Sequence, residues 1–557
     1  MDHNRSISDI TSPSLPSPFW ADELAGRLSG PQVVNDSKSP SGTVHLGSLR
    51  GVVLHDAITR ALRSAGQSTK FLYGVDDMDA MDAAAALTPD AVSRYMGVPL
   101  CRVPAPAGSG APNYARHFVG ELFLPLFAPL GVYPQFYWVS ELYSDGRMDR
   151  YIRAALDRAE LVRVIYRRIS KSIRPAGWLP LQVICEACGK VGTTFASDWD
   201  GASVSYTCEP EAVKWARGCG HQGRVSPFGG AAKLPWNLEW AAKWALFGVT
   251  VEGCGKDLST AGGSRERSEA IAAEVFGIIP PLNVPYEFVN VAGRKMSTSG
   301  GRGVSAQAIA ALLPPELLRF LLLRTRPTTV IDFTPSGDAI PHLCDEFDRI
   351  AAAVAGRSVR GDLPSDFARL FAYSLPASDA DAVGTAALWR PSFGLLADFI
   401  QTPGADLLER LAIQKGSSLT EPETAAAAER AVVVRSWLEH YAPEKERLVV
   451  SYDGVPVAAS ALKSAQRSYL TDLAVAASAE VPEGDQAWQT LIFRLTGECS
   501  LPAREAFAAI YAAFLGRSDG PRAGLLLANL DRDFVLIRLR EAGSGEHAPT
   551  QDISARS

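Results

Sequence analysis

Residues 33–66 read VVNDSKSPSGTVHLGSLRGVVLHDAITRALRSAG, a strand, a turn and a helix in succession. Residues 33–39 have the make-up of a short strand that stops at the turn Pro40-Ser41-Gly42. Over residues 47–65 the apolar positions Leu49, Val52, Val53, Ala57, Ala61 and Leu62 recur at helical spacing, and Gly66 closes the helix. Phe71-Leu72-Tyr73-Gly74-Val75 is a second strand and ends in Asp76-Asp77. Strand, helix and strand in this order make a right-handed crossover and a parallel sheet, whose ligands bind at the carboxyl ends of the strands. Residues 39–45 and Asp76-Asp77 both fall there, which points to a doubly wound nucleotide-binding domain.

Outward from this unit, residues 95–232 interrupt the pattern as an aromatic-rich insertion. The α/β pattern resumes at about 234–290 with a tryptophan-rich helix over 236–247, a strand at 249–251, Gly255-Lys256-Asp257, and a helix over 265–276 behind Gly262-Gly263-Ser264. Residues 304–326 read as helical, and 345–540 are rich in Ala, Leu and Arg at helical spacing, an all-α domain. Residues 1–18 and 541–557 read as tails, and no internal repeat is present.

The net charge of −6, with 47% hydrophobic and 21% charged residues, describes an ordinary globular protein and excludes a global polycation. An RNA partner would have to meet local basic patches, and one candidate is the run Arg147, Arg150, Arg153, Arg158, Arg163, Arg167, Arg168, Lys171 and Arg174. A solvated helix face neutralised by Asp149, Asp157 and Glu160 is the alternative. The apolar run 122–138 is broken by three prolines, and no segment reaches the length of a membrane span. The N-terminus lacks the apolar core of a signal peptide. A cytoplasmic protein without a membrane partner is therefore the expectation, and it is taken as a monomer, a state the sequence does not disclose.

Three constellations carry chemistry. Pro40-Ser41-Gly42 and His45-Leu46-Gly47-Ser48 lead into a helix, whose free N–H groups and positive dipole end suit a triphosphate. His45 can donate to phosphate oxygens, and Gly47 lets a flat base approach the backbone. Far downstream, Lys295-Met296-Ser297-Thr298-Ser299 is a glycine-flanked loop whose Lys295 can neutralise charge growing on a phosphate. Between them Gly255 and Asp257 close a strand, where the carboxylate can accept hydrogen bonds from ribose or an amine, or cap the next helix. Separately, Cys185, Cys188, Cys208 and Cys219, four of the eight cysteines, have the spacing of a structural zinc site within about 180–226, with ten residues between the last two. His221 is an alternative ligand.

These segments, together with Asp76-Asp77-Met78-Asp79, Lys233-Leu234-Pro235-Trp236-Asn237-Leu238-Glu239-Trp240 and Pro315-Glu316-Leu317-Leu318-Arg319-Phe320-Leu321, resemble the class I lysyl-tRNA synthetases over about residues 20–540. The resemblance implies a Rossmann catalytic domain over 19–290 with the zinc-bearing insertion. It further implies a loop and stem-contact region over 291–344 and a helical anticodon-binding domain over 345–540. It implies ATP with Mg2+ and L-lysine as substrates, tRNA(Lys) as acceptor, His45 and Lys295 as catalytic residues, and ATP contacts from Pro40, Ser41, Gly42, Gly47, Ser48, Gly255, Asp257, Met296, Ser297 and Ser299. Burying an ammonium requires a carboxylate partner. Glu239 leads as the residue that receives the lysine side chain, with Ser39, Asp77, Asp79, Trp236 and Trp240 beside it. Core packing is the competing role for two of Trp236, Trp240 and Trp244.

The chain departs from the family at Ser48 (usually Asn), Met78 (usually Tyr), Leu258 (usually His) and Gly300, where the loop's second lysine would stand. Two other readings therefore stay open: a paralogue charging another amino acid or acceptor, and a tRNA-binding protein without catalysis.

Overall fold

A computed structural model of the chain describes residues 18–291, 294–295, 305–377, 381–401 and 406–545. It separates into two compact units, one formed by residues up to 334 with 349–387, the other by 335–348 with residues from 388 onward. The region read from sequence as one helical domain beginning at 345 is thus divided between them.

The first unit is built on a five-stranded, wholly parallel sheet. Its strands are β1 (Gln32–Lys38), β2 (Thr69–Val75), β3 (Gln135–Trp138), β4 (Val251–Gly255) and β5 (Leu282–Tyr286), in the order β5-β4-β1-β2-β3. β1 and β2 run in register from Gln32 opposite Thr69 to Lys38 opposite Val75, and β4 meets β1 at Val34 opposite Val251. Chain order reverses between β1 and β4, and the crevice at such a reversal is where open α/β sheets bind ligands. β4 lies two residues later than the 249–251 expected from sequence. Its Glu252 and two glycines argue against a strand locally, but the buried Glu252 carboxylate accepts from Asn35 (2.9 Å) and from the indoles of Trp240 (2.8 Å) and Trp244 (2.6 Å).

Helix α1 (Leu46–Ser64) buries the predicted apolar stripe against the sheet, and with it Arg50, His55, Asp56 and Arg60. These polar groups are satisfied by tertiary partners, as burial requires. Arg50 donates to the carbonyls of Glu287 (2.6 Å) and Thr329 (2.8 Å), tying α1 to the chain on both sides of residues 289–305. Asp56 pairs with Arg60 (2.8 Å) and Arg319 (2.7 Å). Gly253 N–H donates to His55 Nε2 (2.8 Å), so Nδ1, 2.7 Å from the Gly51 carbonyl, carries the ring proton.

Helix α2 (Trp236–Phe247) is buried nearly all round, including Glu239 and Lys243, and Gly248 ends it in the left-handed conformation. Helix α3 (Ser264–Glu274) packs beside it. Helix α4 (Pro315–Leu323) is apolar and buried. No single helix among the described residues is long and apolar enough to cross a membrane. The insertion carries a three-stranded antiparallel sheet, Thr194–Ser197, Val204–Cys208 and Gln222–Val225, and a short pairing of Gln182–Val183 with Ala232–Lys233.

Among the described residues, the regular elements of the second unit are helices. Its core gathers Tyr469, Leu473, Ile492, Ile510, Phe514 and Leu539 from four helices. Helix α5 (Glu421–His440) opens with a capping box in which Thr420 and Glu423 bond each other's backbone N–H groups.

Candidate active site

At the carboxyl end of β1 the chain turns through Ser39-Pro40-Ser41-Gly42, where Ser41 N–H donates to the Ser39 carbonyl (2.8 Å) and Gly42 takes φ +68°. His45 is the N-cap of α1, in extended backbone, and no acidic residue occupies the first turn of the helix. That helix end therefore offers its N–H groups and dipole to an anion without local repulsion. Gly47 and Ser48, both partly exposed, lie in the same turn. Val44 accepts from Ala306 N–H (2.9 Å), and His45 pairs antiparallel with Ser305. The chain that leaves the second motif thus returns beside the first. Lys295 pairs through its backbone with Asn290; its side chain lies outside the described residues, as do Met296, Ser297, Ser299 and Gly300.

Gly255 and Asp257 stand at the carboxyl end of β4, on the other side of the reversal. A Cβ at Gly255 would approach Asp257 Oδ1 to 2.9 Å, so glycine there leaves room for the aspartate side chain.

Next to this end of the sheet lies a cleft of about 260 Å³. Ser39, Asp79, Lys233 and Trp236 line it from the parallel-sheet side. Gln182, Gly192 and Trp215 line it from the insertion. Its floor is a charge cluster. Asp79 receives a hydrogen bond from the Ser39 hydroxyl and pairs with the Lys233 ammonium. Lys233 also stands 3.3 Å from Glu239, whose other contact is the Tyr143 hydroxyl at 2.8 Å. Tyr143 in turn accepts from Leu234 N–H at 2.9 Å. Glu239 is fully buried behind Lys233, so the ammonium that touches it is the chain's own.

Charge counting explains how these groups titrate. Burial opposes the Lys233 ammonium, but Asp79 and Glu239 outweigh it and hold the amine protonated. Burial would raise the Asp79 carboxyl; Lys233 overrides it and keeps Asp79 ionised. Glu239 has a share of that single ammonium, and burial pushes its carboxyl up to about 7. Asp76 is matched by Lys243 at 2.6 Å. Asp77 pairs with no cation among the described residues: it accepts from Ser140 N–H (2.8 Å) and Ser140 Oγ, capping the helix Val139–Ser144, and burial pushes its carboxyl up to about 6. The cluster carries more carboxylates than ammonium groups.

Of the three tryptophans, Trp236 reaches the cleft and stacks on Trp240 (4.8 Å between centroids), while Trp240 and Trp244 are buried and bound to Glu252. Met78 is buried, with its sulfur 3.8 Å from Cys101 Sγ, and Leu258 packs against the core. Lys233, Lys243 and Tyr143 were not singled out from sequence. The signal available was Lys233 at the head of the quoted Lys-Leu-Pro-Trp segment, which residue type alone assigns to the surface.

In the insertion, the sulfurs of Cys185, Cys188, Cys208 and Cys219 lie within 4.8 Å of one another, with Cys185–Cys219 at 3.6 Å and Cys188–Cys208 at 3.7 Å. A disulfide needs about 2.05 Å, whereas sulfurs tetrahedral about an ion at ~2.3 Å stand about 3.8 Å apart. The four thiols fit a metal ion. His221 contributes its carbonyl to Cys208 N–H (2.8 Å), and its ring packs on Tyr206.

The basic run forms two helices, Asp149–Asp157 and Ala159–Ser170. Many of its guanidinium groups are engaged: Arg163 with Glu160, Arg168 with Glu274, Arg158 with the Val275 carbonyl, and Arg153 with the Gly201 carbonyl (2.9 Å).

The sequence profile described as tRNA synthetases class I (K) matches residues 18–373. Similar curated proteins include a lysine–tRNA ligase of Methanosarcina barkeri, 32% identical over 545 residues and covering 94% of this chain and 98% of the relative. A lysine–tRNA ligase of Thermoplasma acidophilum is 31% identical over 526 residues, with the same two coverages. Among solved structures, a glutamate tRNA ligase from Elizabethkingia meningosepticum aligns with 92% of this chain and 99% of its own, at a TM-score of 0.44 and 10% identity.

Proposed function

The chain belongs to the class I tRNA synthetases of the K type, and from that premise we propose that it is a lysine–tRNA ligase working through the cleft beside β1. One observation carries the assignment of the amino-acid pocket: Asp79 and Glu239 share the single ammonium of Lys233. A substrate ε-ammonium supplies the charge this cluster lacks. Asp79, at the cleft surface, and Trp236 are its contacts, and Glu239 acts from behind Lys233.

ATP, entering as its Mg2+ complex, lies across the reversal between β1 and β4. Its phosphates face His45 and the first turn of α1, its base lies against Gly47, and its ribose is near Gly255 and Asp257. An oxygen of the lysine carboxylate attacks the α-phosphorus as the bond to pyrophosphate breaks, giving lysyl-adenylate. A carboxylate is ionised at neutral pH, so no general base is needed, and the protein contributes position and charge. Lys295 neutralises the departing pyrophosphate. The terminal ribose hydroxyl of tRNA(Lys) then attacks the acyl carbon, and AMP leaves. The helical second unit suits the anticodon arm. The four thiols hold a structural Zn2+, since four protein ligands leave no open position. The enzyme acts as a monomer in the cytoplasm, with translation.

Aminoacylation of total tRNA with lysine, set against norleucine, tests the pocket. Lysine is charged and norleucine, which lacks the ammonium, is not; Asp79→Asn raises the KM for lysine by tenfold or more. Equal charging of the two amino acids would refute the pocket.

Two of the four sequence departures, Met78 and Leu258, sit among packed side chains. The buried Met78 meets the partly buried Cys101, and Leu258 is partly buried against the core.

A further inference from the structure

Between Cys208 and Cys219 the chain carries a tryptophan that no motif singles out. Trp215 is 44% exposed, an unusual position for a large indole, and it borders the same cleft as Asp79 and Trp236. Its ring lies over Gly192, where a Cβ would come within 3.0 Å of the ring and 3.6 Å of Ala80. Glycine at 192 is what lets the indole reach the cleft wall.

The segment holding Trp215 is fixed at both ends by the thiol cluster. Cys219 N–H donates to Cys208 Sγ (3.4 Å), Gly220 N–H to the Cys208 carbonyl (2.8 Å), and Glu209 N–H to the Thr193 carbonyl (2.8 Å). At Gly218 a Cβ would meet the Glu209 carbonyl at 2.2 Å, so the two ends touch. Two residues before Cys219, Lys190 Nζ donates to the Arg217 carbonyl (2.9 Å). The base of the segment is thus a pair of cysteines from the thiol cluster, and an ion held there would crosslink it.

We propose that Trp215 is a substrate-contact residue of the lysine cleft and that the metal held by the four cysteines sets its position, so that metal occupancy governs affinity for the amino acid. The proposal rests on the lysine reading above. A flexible side chain of methylenes ending in an ammonium matches this wall: the methylenes cover the indole and the charge is drawn to aromatic faces close to a carboxylate. Sequence assigns the metal a purely structural role. The placement of Trp215 makes that role one of specificity.

The test uses the full-length protein with tRNA present and follows L-lysine binding by calorimetry, metal content by mass spectrometry, and the Trp215 environment by 19F NMR after 5-fluorotryptophan labelling, with Trp215→Phe identifying its resonance. Trp215→Ala weakens lysine about tenfold while metal content and ATP affinity stay at wild-type levels. Removal of the metal by a chelator, or Cys208→Ser, weakens lysine to a similar extent and adds nothing further in the Trp215→Ala background. The Trp215 resonance moves on lysine addition and again on metal removal. Unchanged lysine affinity in Trp215→Ala, or in wild-type protein shown to be free of metal, overturns the proposal while leaving the lysine reading standing. A wild-type protein that binds no lysine overturns both.

Discussion

Replacing Lys233 by methionine removes the one ammonium that Asp79 and Glu239 share. At 3.3 Å from Glu239 and an effective dielectric of about 20, the attraction lost is on the order of 5 kcal/mol. Breaking a buried ion pair from one side costs about 3–5 kcal/mol because a charge is left stranded. Asp79 keeps its Ser39 hydrogen bond and borders the cleft, where water reaches it, so most of the cost falls on Glu239. That residue can escape by taking a proton. Its carboxyl already lies at about 7 with Lys233 present, and it rises further without it. A carboxyl raised in the folded state favours folding at low pH, and that advantage is lost as pH climbs through the folded value. For wild type the loss is complete near pH 7; for Lys233→Met it continues above. The penalty of the variant therefore grows between pH 7 and 9, by up to about 1.4 kcal/mol per unit, and shrinks at pH 6. Hydrogen exchange of β1 and β2 amides, corrected for intrinsic rate at each pH, reports the first unit alone. Lys233→Met/Glu239→Gln should regain much of the lost protection at pH 8.5. Wild-type protection in Lys233→Met at both pH values, or no rescue by Glu239→Gln, refutes this account of the cluster.

Other outcomes follow from the same geometry. Lys295→Ala lowers the rate of adenylate formation by on the order of a hundredfold while tRNA binding measured by filter retention is unchanged; full activity would exclude the lysine from the chemistry. Cys188→Ser abolishes the stoichiometric metal and leaves ATP affinity intact, whereas a stoichiometric metal in that variant would remove Cys188 from the ligand set. Lys415 holds Glu423 down to about 2, against an ordinary 4.5. Its contribution to the second unit is present above pH 4.5 and fades as pH falls toward 2. Exchange protection of α5 should drop across that window, and Glu423→Gln should flatten the dependence; a pH-independent wild type would contradict it.

The doubly wound core was legible because β1, α1 and β2 obey local rules: a strand closed by Pro-Ser-Gly, a helical apolar stripe, and a strand closed by Asp-Asp. The thiol cluster was legible for the same reason, since ligand spacing is local chemistry. β4 was misplaced by two residues because Glu252 is tolerable in a buried strand only through Asn35, Trp240 and Trp244, partners distributed along the chain. The charge cluster was half legible. A carboxylate cage for an ammonium could be read from Glu239 and Asp79, but Lys233 inside that cage could not, because residue type places lysine in solvent. Trp215 was hidden for a different reason: its position depends on a loop closed by metal ligands, and no periodicity marks such a residue.

ATP–pyrophosphate exchange measured with each of the twenty amino acids, with and without total tRNA, decides whether lysine is the amino acid activated. With tRNA present, exchange should depend on lysine. Exchange driven by another amino acid, or by none, would contradict it.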